Sequence, residues 1–227
     1  GELKVKGKEI LIPTFQVLGR REEIGRTRGL DGGESPLLGR GDSLDALREC
    51  GQKLLARRGQ IVALIGDSGL GKSRLLREFK AWMSEVGSWQ MADGQVGQVL
   101  WLDGQALSFS EQTSYWLVVQ VLQAMLGLPA GAGTDDLLFA LWEMSEDLMG
   151  KETAREAVPF LAHLLDLPLK DAWARCVQEL DPKVRQKQIF WAAREFFTQA
   201  ARKRPIVIAL DDLHWADEAS LDFISYL

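Results

Sequence analysis

The stretch IVALIGDSGLGKSRLL, residues 61–76, decides the fold of this chain. An apolar run leads into three glycines, a lysine and a serine, and apolar residues then recur at helical spacing. Residues 60–65 do not alternate between polar and apolar types, which is typical of a strand buried on both faces of a parallel sheet. Residues 72–86 carry the apolar stripe of an amphipathic helix. The stretch therefore predicts a strand, a glycine-rich turn and a helix in direct succession.

The turn has the spacing of a phosphate-binding loop, G-x-x-x-x-G-K-S/T. Glycines permit positive φ, so that backbone N–H groups can converge on a polyphosphate, and the next helix adds the positive end of its dipole. We therefore expect Lys72 to contact the β- and γ-phosphates and Ser73 to bind Mg²⁺. The alternative is a glycine-rich turn without a ligand, but the flanking strand and helix favour nucleotide binding. The predicted nucleotide-binding residues of this loop are Gly66, Asp67, Ser68, Gly69, Leu70, Gly71, Lys72 and Ser73.

A second buried-strand pattern, IVIAL at residues 206–210, is followed directly by two aspartates. A carboxylate at the end of a neighbouring strand is what a phosphate-binding loop needs to hold Mg²⁺ together with Ser73. We assign that metal role to Asp211. Asp212 is then the predicted catalytic carboxylate that orients or deprotonates water, with Lys72 as its catalytic partner on the phosphates. The alternative is a strand that ends in a solvated acidic turn.

Composition excludes several other classes of protein. The net charge is −5 at pH 7, which gives no basic field for nucleic acid, and no apolar run is long enough to cross a membrane. The two cysteines, Cys50 and Cys176, lack metal-type spacing, and two histidines are too few for a His-rich zinc site. We expect a cytoplasmic protein without nucleic-acid or membrane partners. Because the chain starts at Gly1 and its first methionine is Met83, we also expect it to be a piece of a longer polypeptide.

Three segments are predicted along the chain. Residues 1–19 have strand-like alternation, residues 20–36 are charged and glycine-rich like a linker, and residues 37–227 form the nucleotide-binding domain. Long helical patterns separate the strand patterns, which favours an α/β fold with a parallel sheet. The predicted elements of this domain are helices at about 43–57, 72–86, 112–126, 134–149, 153–165, 183–203 and from 219, with strands at 60–65, 96–104 and 205–210.

Three stretches resemble the AAA-like P-loop ATPases of the signal-transduction class with numerous domains (STAND). They are PLLGRGDSLDALREC (36–50), GDSGLGKSRLLREF (66–79) and ALDDLHWADEASLDFISYL (209–227), and LHWAD is the most specific part. The resemblance is closest to modules fused behind class III adenylate or guanylate cyclase domains and in front of helical repeats. Residues 1–19, with Lys6-Gly7, are similar to the closing strands of such a cyclase domain.

The resemblance implies further roles for individual residues. Arg40 approaches the nucleotide, although an exposed linker arginine is the alternative. Arg74, which follows the loop serine, is a further nucleotide-binding residue whose role is undefined. His214, Trp215 and Asp217 sense the γ-phosphate and pass its state to neighbouring elements, while core packing is the alternative for Trp215. The implied ligands are ATP or ADP with Mg²⁺, and the implied partners are the flanking domains and a nucleotide-dependent homo-oligomer.

The same resemblance implies the additional-strand class of the P-loop fold, with sheet order 5-1-4-3-2. The strand that carries the aspartates is then third, and the fourth strand would follow Leu227. We therefore expect a domain truncated before its fourth strand. Three functions stay open: a switch that slowly hydrolyses ATP, a module that binds nucleotide without turnover, and a scaffold with a relic loop. Asp212 beside Asp211 favours the first over the second.

Overall fold

The computed structural model describes residues 2–3, 12–13, 39–90, 96–129, 131–169 and 171–227. The chain divides into two compact units, Gly1–Pro36 and Leu37–Leu227. In the first unit, strand β1 (Glu2–Leu3) pairs antiparallel with strand β2 (Ile12–Pro13), and Leu3 lies opposite Ile12. The remainder of the predicted strand segment at 1–19, Lys6-Gly7 included, and the predicted linker at 20–36 lie outside the described residues.

The second unit is built mainly from helices. The bounds of α2 (Lys72–Val86) and α4 (Thr134–Met149) are those predicted from periodicity, whereas the short helix α6 (Asp171–Gln178) has no counterpart among the predicted elements. Across the described ranges, the residues form no helix that is both long enough and apolar enough to span a membrane. The helices are α1 (Gly41–Leu55), α2 (Lys72–Val86), α3 (Trp116–Leu126), α4 (Thr134–Met149), α5 (Lys151–Leu164), α6 (Asp171–Gln178), α7 (Pro182–Lys203) and α8 (Glu218–Tyr226).

A parallel pair of strands lies at the centre of this unit. Strand β5 (Leu100–Gln105) pairs with strand β6 (Ile206–Asp211) in a register that runs from Leu100 opposite Ile206 to Gln105 opposite Asp211. Strands β3 (Ser88–Gln90) and β4 (Val96–Gln98) form a separate antiparallel pair. Because carboxyl ends of parallel strands meet at one edge, the register brings Gln105 beside the predicted metal-binding aspartate.

The two faces of this parallel pair are covered by different helices. On one face, Leu102 belongs to the large core formed by residues of α3, α4, α5 and α7. On the other face, Trp101 and Val207 pack against a smaller cluster from α1 and α2 that contains Leu75, Phe79 and Met83. The sheet is therefore a middle layer, and α2, which follows the glycine-rich loop, is held against it by apolar packing.

The prediction of a strand at 60–65 is wrong for this structure. These residues have no strand assignment, and the side chains of Ile61 and Ile65 are 103% and 93% exposed. A strand requires a hydrogen-bonded neighbour for its backbone, and the described part of the chain supplies none to this segment. Between the segment and β6 lies a cavity of about 190 Å³, lined by residues such as Val62, Leu64 and Val207. The expected buried strand is therefore an irregular segment that faces this cavity.

Candidate nucleotide-binding site

The glycine-rich loop ends in a tight, left-handed turn directly before α2. Gly69 and Gly71 have φ of +84° and +79°, values that a residue with a Cβ adopts only with strain. Gly71 is the N-cap of α2, and its carbonyl accepts a hydrogen bond of 2.9 Å from Leu75 N. Residues 65–71 are all exposed, so the backbone of the loop lies open in front of the helix N-terminus. This geometry is that of an anion-binding loop.

Lys72 reaches back over the loop that precedes it. Its Nζ donates to the Gly66 carbonyl oxygen at 2.8 Å and to the Asp67 carbonyl oxygen at 3.0 Å. The ammonium group is thereby held over the backbone that would surround a polyphosphate. Its charge lies where phosphate oxygens would need compensation.

Ser73 and Asp211 meet although 138 positions separate them in the sequence. The Ser73 hydroxyl donates to Asp211 Oδ2 at 3.0 Å, while Asp211 Oδ1 accepts from the Asp212 backbone N–H at 2.9 Å. A hydroxyl and a carboxylate are hard oxygen ligands of the kind that Mg²⁺ prefers. Among the residues with described positions, no cluster of three or more His, Cys, Asp or Glu side chains could bind a metal alone. The residue types of the pair fit Mg²⁺, which Ser73 Oγ and Asp211 would hold beside a bound phosphate.

Asp212 follows β6 immediately and adopts an unusual backbone conformation. Its φ of +57° lies in the left-handed region, which aspartate tolerates better than most residues. Asp212 Oδ2 accepts a hydrogen bond of 2.9 Å from Gln105 Nε2, at the end of the paired strand β5. No sequence motif marks Gln105, and only the register of β5 and β6 reveals its contact with Asp212.

The two arginines predicted at the nucleotide lie in different environments. Arg40, the N-cap residue of α1, donates from Nη2 to the Leu70 carbonyl oxygen at 2.6 Å and so contacts the loop itself. The guanidinium of Arg74 pairs instead with Glu78 Oε1 at 2.7 Å, one turn further along α2. The structure therefore brings Arg40 to the loop and directs Arg74 along its own helix.

The residues assigned to switching differ sharply in burial. His214 is exposed, Trp215 is 38% exposed, and their rings lie 5.1 Å apart. Trp215 is not among the described residues that form the two hydrophobic core clusters. Asp217 is only 3% exposed, and it accepts hydrogen bonds from the backbone N–H groups of Tyr115 and Trp116 at the start of α3. It also accepts from the Ser220 N–H and hydroxyl as the N-cap of α8. Asp217 thus joins two helix N-termini.

Burial also changes the acidity of a neighbour of Asp217. The Tyr115 side chain is partly buried, and this desolvation raises the pKa of its hydroxyl; the nearby carboxylates of Asp217 and Asp222 add to the rise. A hydrogen bond with Gln186 opposes the rise without cancelling it. Tyr115 is therefore a neutral hydrogen-bonding group at neutral pH and carries no charge toward the site.

An open glycine-rich loop, a lysine over it, and a serine–aspartate pair at the edge of a parallel sheet together define a P-loop nucleotide-binding domain. Comparison with known proteins agrees with this class, because the AAA ATPase domain family matches residues 36–227. The chain belongs to that family. An uncharacterised protein of Rhizobium meliloti strain 1021 is 24% identical over 225 residues, which are 99% of this chain. The chain spans 20% of that relative's length. No solved structure matches.

Proposed function

We propose that this chain is the ATP-binding and ATP-hydrolysing switch module of a larger cytoplasmic signalling protein. The observation that supports the proposal most strongly is the 3.0 Å hydrogen bond between Ser73 Oγ and Asp211 Oδ2. It joins the start of α2 to the end of β6 at the place where Mg²⁺ is needed beside a triphosphate. Membership in the AAA ATPase domain family supports the same assignment.

The proposed binding mode follows from the loop and its lysine. Backbone N–H groups of residues 66–71 surround the phosphates, and Lys72 exchanges its carbonyl partners, Gly66 and Asp67, for phosphate oxygens. Ser73 and Asp211 hold Mg²⁺, which neutralises charge on the β- and γ-phosphates when bound. Arg40 stabilises the loop through its hydrogen bond to the Leu70 carbonyl oxygen, and Arg74 stabilises α2 through Glu78.

Asp212 is the proposed catalytic carboxylate. Gln105 binds its Oδ2, and we assign Oδ1 to the attacking water, whose proton it accepts or directs. The segment that follows β6 continues from Asp212 through His214 and Trp215 to Asp217. Asp217 is hydrogen-bonded to the starts of α3 and α8. We propose that this connection passes the state of the γ-phosphate to neighbouring elements.

The parent protein is proposed to be a multidomain STAND ATPase. A cyclase domain before residue 20, helical repeats after residue 227 and nucleotide-dependent self-association follow from the resemblance of the three motif stretches. The length of the Rhizobium relative supports an architecture with further domains, because this chain covers 20% of it. The cavity beside β6 supports the insertion of a fourth strand next to residues 60–65.

Replacing Asp212 with Asn in the full-length protein tests the proposed reaction. The amide keeps the size of the side chain and tolerates the positive φ, but it cannot accept a proton from water. We expect turnover of Mg-ATP to fall by about 100-fold or more, with ATP affinity preserved. Asp222→Asn, on the exposed face of α8, is the matched control and should behave like wild type. Equal turnover in the Asp212→Asn variant would remove its catalytic role.

A second function is a module that binds nucleotide without turning it over. The lack of a strand at residues 60–65 favours it, because a loop attached to an irregular segment holds phosphates less rigidly than one attached to a strand. Tight Mg-ATP binding by the full-length wild type with no phosphate release would support this alternative over the hydrolytic switch.

A further inference from the structure

Helix α3 binds the backbone of Gln105 on the edge of β5 that faces away from β6. The side-chain amide of Gln120 makes two bonds: its Oε1 accepts from Gln105 N at 3.3 Å, and its Nε2 donates to Gln105 O at 2.8 Å. Trp116 Nε1 donates to the same carbonyl oxygen at 3.0 Å. The carboxamide of Gln120 thus takes the place of a neighbouring strand and fixes the end of β5.

The side chain of Gln105 points from this fixed backbone to Asp212, the proposed catalytic carboxylate. Its Nε2 donates to Asp212 Oδ2 at 2.9 Å, and neither glutamine is fully exposed. A hydrogen bond to a partly buried carboxylate restricts the orientation of both carboxylate oxygens. The position of Asp212 therefore depends on where α3 holds Gln105.

The same end of α3 is also tied to the chain beyond Asp212. The Asp217 carboxylate accepts from Tyr115 N at 2.7 Å and from Trp116 N at 3.1 Å. The first turn of α3 is thus connected to Asp212 through the end of β5 and through the segment that follows β6. A displacement of α3 would therefore move Asp212, both through Gln105 and through the segment that contains Asp217.

We propose that Gln120 is a positioning residue for Asp212 that acts through Gln105. The proposal rests on the hydrolytic function assigned above. Gln120 touches neither nucleotide nor metal; it fixes the strand end from which Gln105 binds Asp212 Oδ2. The position of helix α3 consequently determines where Gln105 holds the carboxylate of Asp212.

The test compares steady-state ATPase kinetics of variants of the full-length protein. Gln120→Leu keeps a side chain of similar size but loses both bonds to Gln105, and we expect kcat to fall by about tenfold at unchanged KM for ATP. Gln123→Leu, an exposed position on the same helix, is the matched control and should keep the wild-type kcat. Gln105→Leu should lower kcat to the same extent as Gln120→Leu.

The double variant separates positioning from ordinary stabilisation of the fold. Because both glutamines act on one carboxylate oxygen, Gln105→Leu combined with Gln120→Leu should be no slower than either alone. Three results would each overturn the proposal. They are a loss of kcat in the double variant equal to the product of the two single losses, a wild-type kcat for Gln120→Leu, and a raised KM with unchanged kcat. If either leucine variant fails to fold, Gln105→Asn is the substitute. Its shorter side chain loses only the hydrogen bond to Asp212, and the variant must show the same loss of kcat.

The ATPase assays distinguish a failure of this proposal from a failure of the proposed function. A full-length wild type that binds ATP without hydrolysing it overturns both. If wild type hydrolyses ATP, Asp212→Asn abolishes turnover and Gln120→Leu retains the full rate, only the role of Gln120 is overturned.

Discussion

At the residue scale, the carboxylate of Asp217 accepts four hydrogen bonds although only 3% of the residue is exposed. Three of its donors are backbone N–H groups at helix N-termini, which have no partner inside their own helices. Its negative charge also faces the positive ends of two helix dipoles. Asp217 is thus a structural junction between α3 and α8, in addition to the switching role proposed for it.

Replacing Asp217 with Ala should destabilise the protein strongly. The change leaves the N–H groups of Tyr115 and Trp116 and the Ser220 N–H and hydroxyl without this partner, and removes a helix cap. We expect the free energy of unfolding to fall by about 2–4 kcal/mol. Chemical denaturation monitored by circular dichroism measures it, with exposed Asp222→Ala as the control. A loss equal to that of the control would contradict the junction role.

The site could be predicted from sequence only where chemistry imposes a local motif. Lys72, Ser73 and Asp211 carry spacing and residue types that phosphate and Mg²⁺ binding require, and the structure brings Ser73 and Asp211 together. Gln105 and Gln120 carry no such pattern. Their contacts depend on the register of two strands and on the placement of α3, neither of which is a property of the local sequence.

At the element scale, helices α1 and α2 approach so closely at Gly51 that a Cβ there would force neighbouring side chains to shift. A Cβ built there would lie 2.8 Å from Met83 Sδ and 2.8 Å from Trp82 Cζ3. Helix α2 begins with Lys72 and Ser73, so the packing of α1 helps to fix the start of the phosphate-binding helix. Arg40 at the start of α1 adds a direct contact to the loop.

Gly51→Ala should therefore cost stability despite the higher helix propensity of alanine. Overpacking against Trp82 and Met83 is expected to lower the free energy of unfolding by about 1–3 kcal/mol. Gly41→Ala, in the first turn of the same helix, is the control, because a Cβ there meets nothing within 4 Å. Urea denaturation of both variants measures the difference. Equal or greater stability of Gly51→Ala would show that the helices separate without cost.

Helices could be predicted more reliably than strands in this chain. The apolar residues that predict α2 and α4 all lie within each helix's own segment. The first and last residues of both helices therefore follow from periodicity. Residues 60–65 have an equally clear strand pattern, yet they form no strand, because a strand also depends on a partner elsewhere. Helix α6 is only 8 residues long, shorter than the roughly 11–18 residues over which helical periodicity is read.

At the scale of the whole molecule, the edge of β6 beside residues 60–65 has no strand partner in the described part of the chain. Open strand edges and exposed apolar side chains such as Ile61 and Ile65 are unfavourable in water. The proposed fourth strand would cover both features. We propose that a further segment of the parent protein fills the cavity beside β6.

We accordingly expect the excised segment 1–227 to lack a cooperative thermal transition and measurable Mg-ATPase activity. Calorimetry and phosphate release measure the two properties, and a version extended at its C-terminus to include the next strand should recover both. A cooperative melt together with turnover by 1–227 alone would contradict the need for a fourth strand.

The central claim is that the backbone around Lys72 holds a triphosphate, and the affinity of the full-length protein for ATP tests it most directly. Titration with a fluorescent ATP analogue in the presence of Mg²⁺ should show binding that Lys72→Ala weakens by at least about tenfold, because a charge-assisted contact to the phosphates is lost. Lys80→Ala, on the same helix but paired with Asp103, should leave the affinity unchanged. Equal ATP affinity of the wild type and the Lys72→Ala variant would contradict the account.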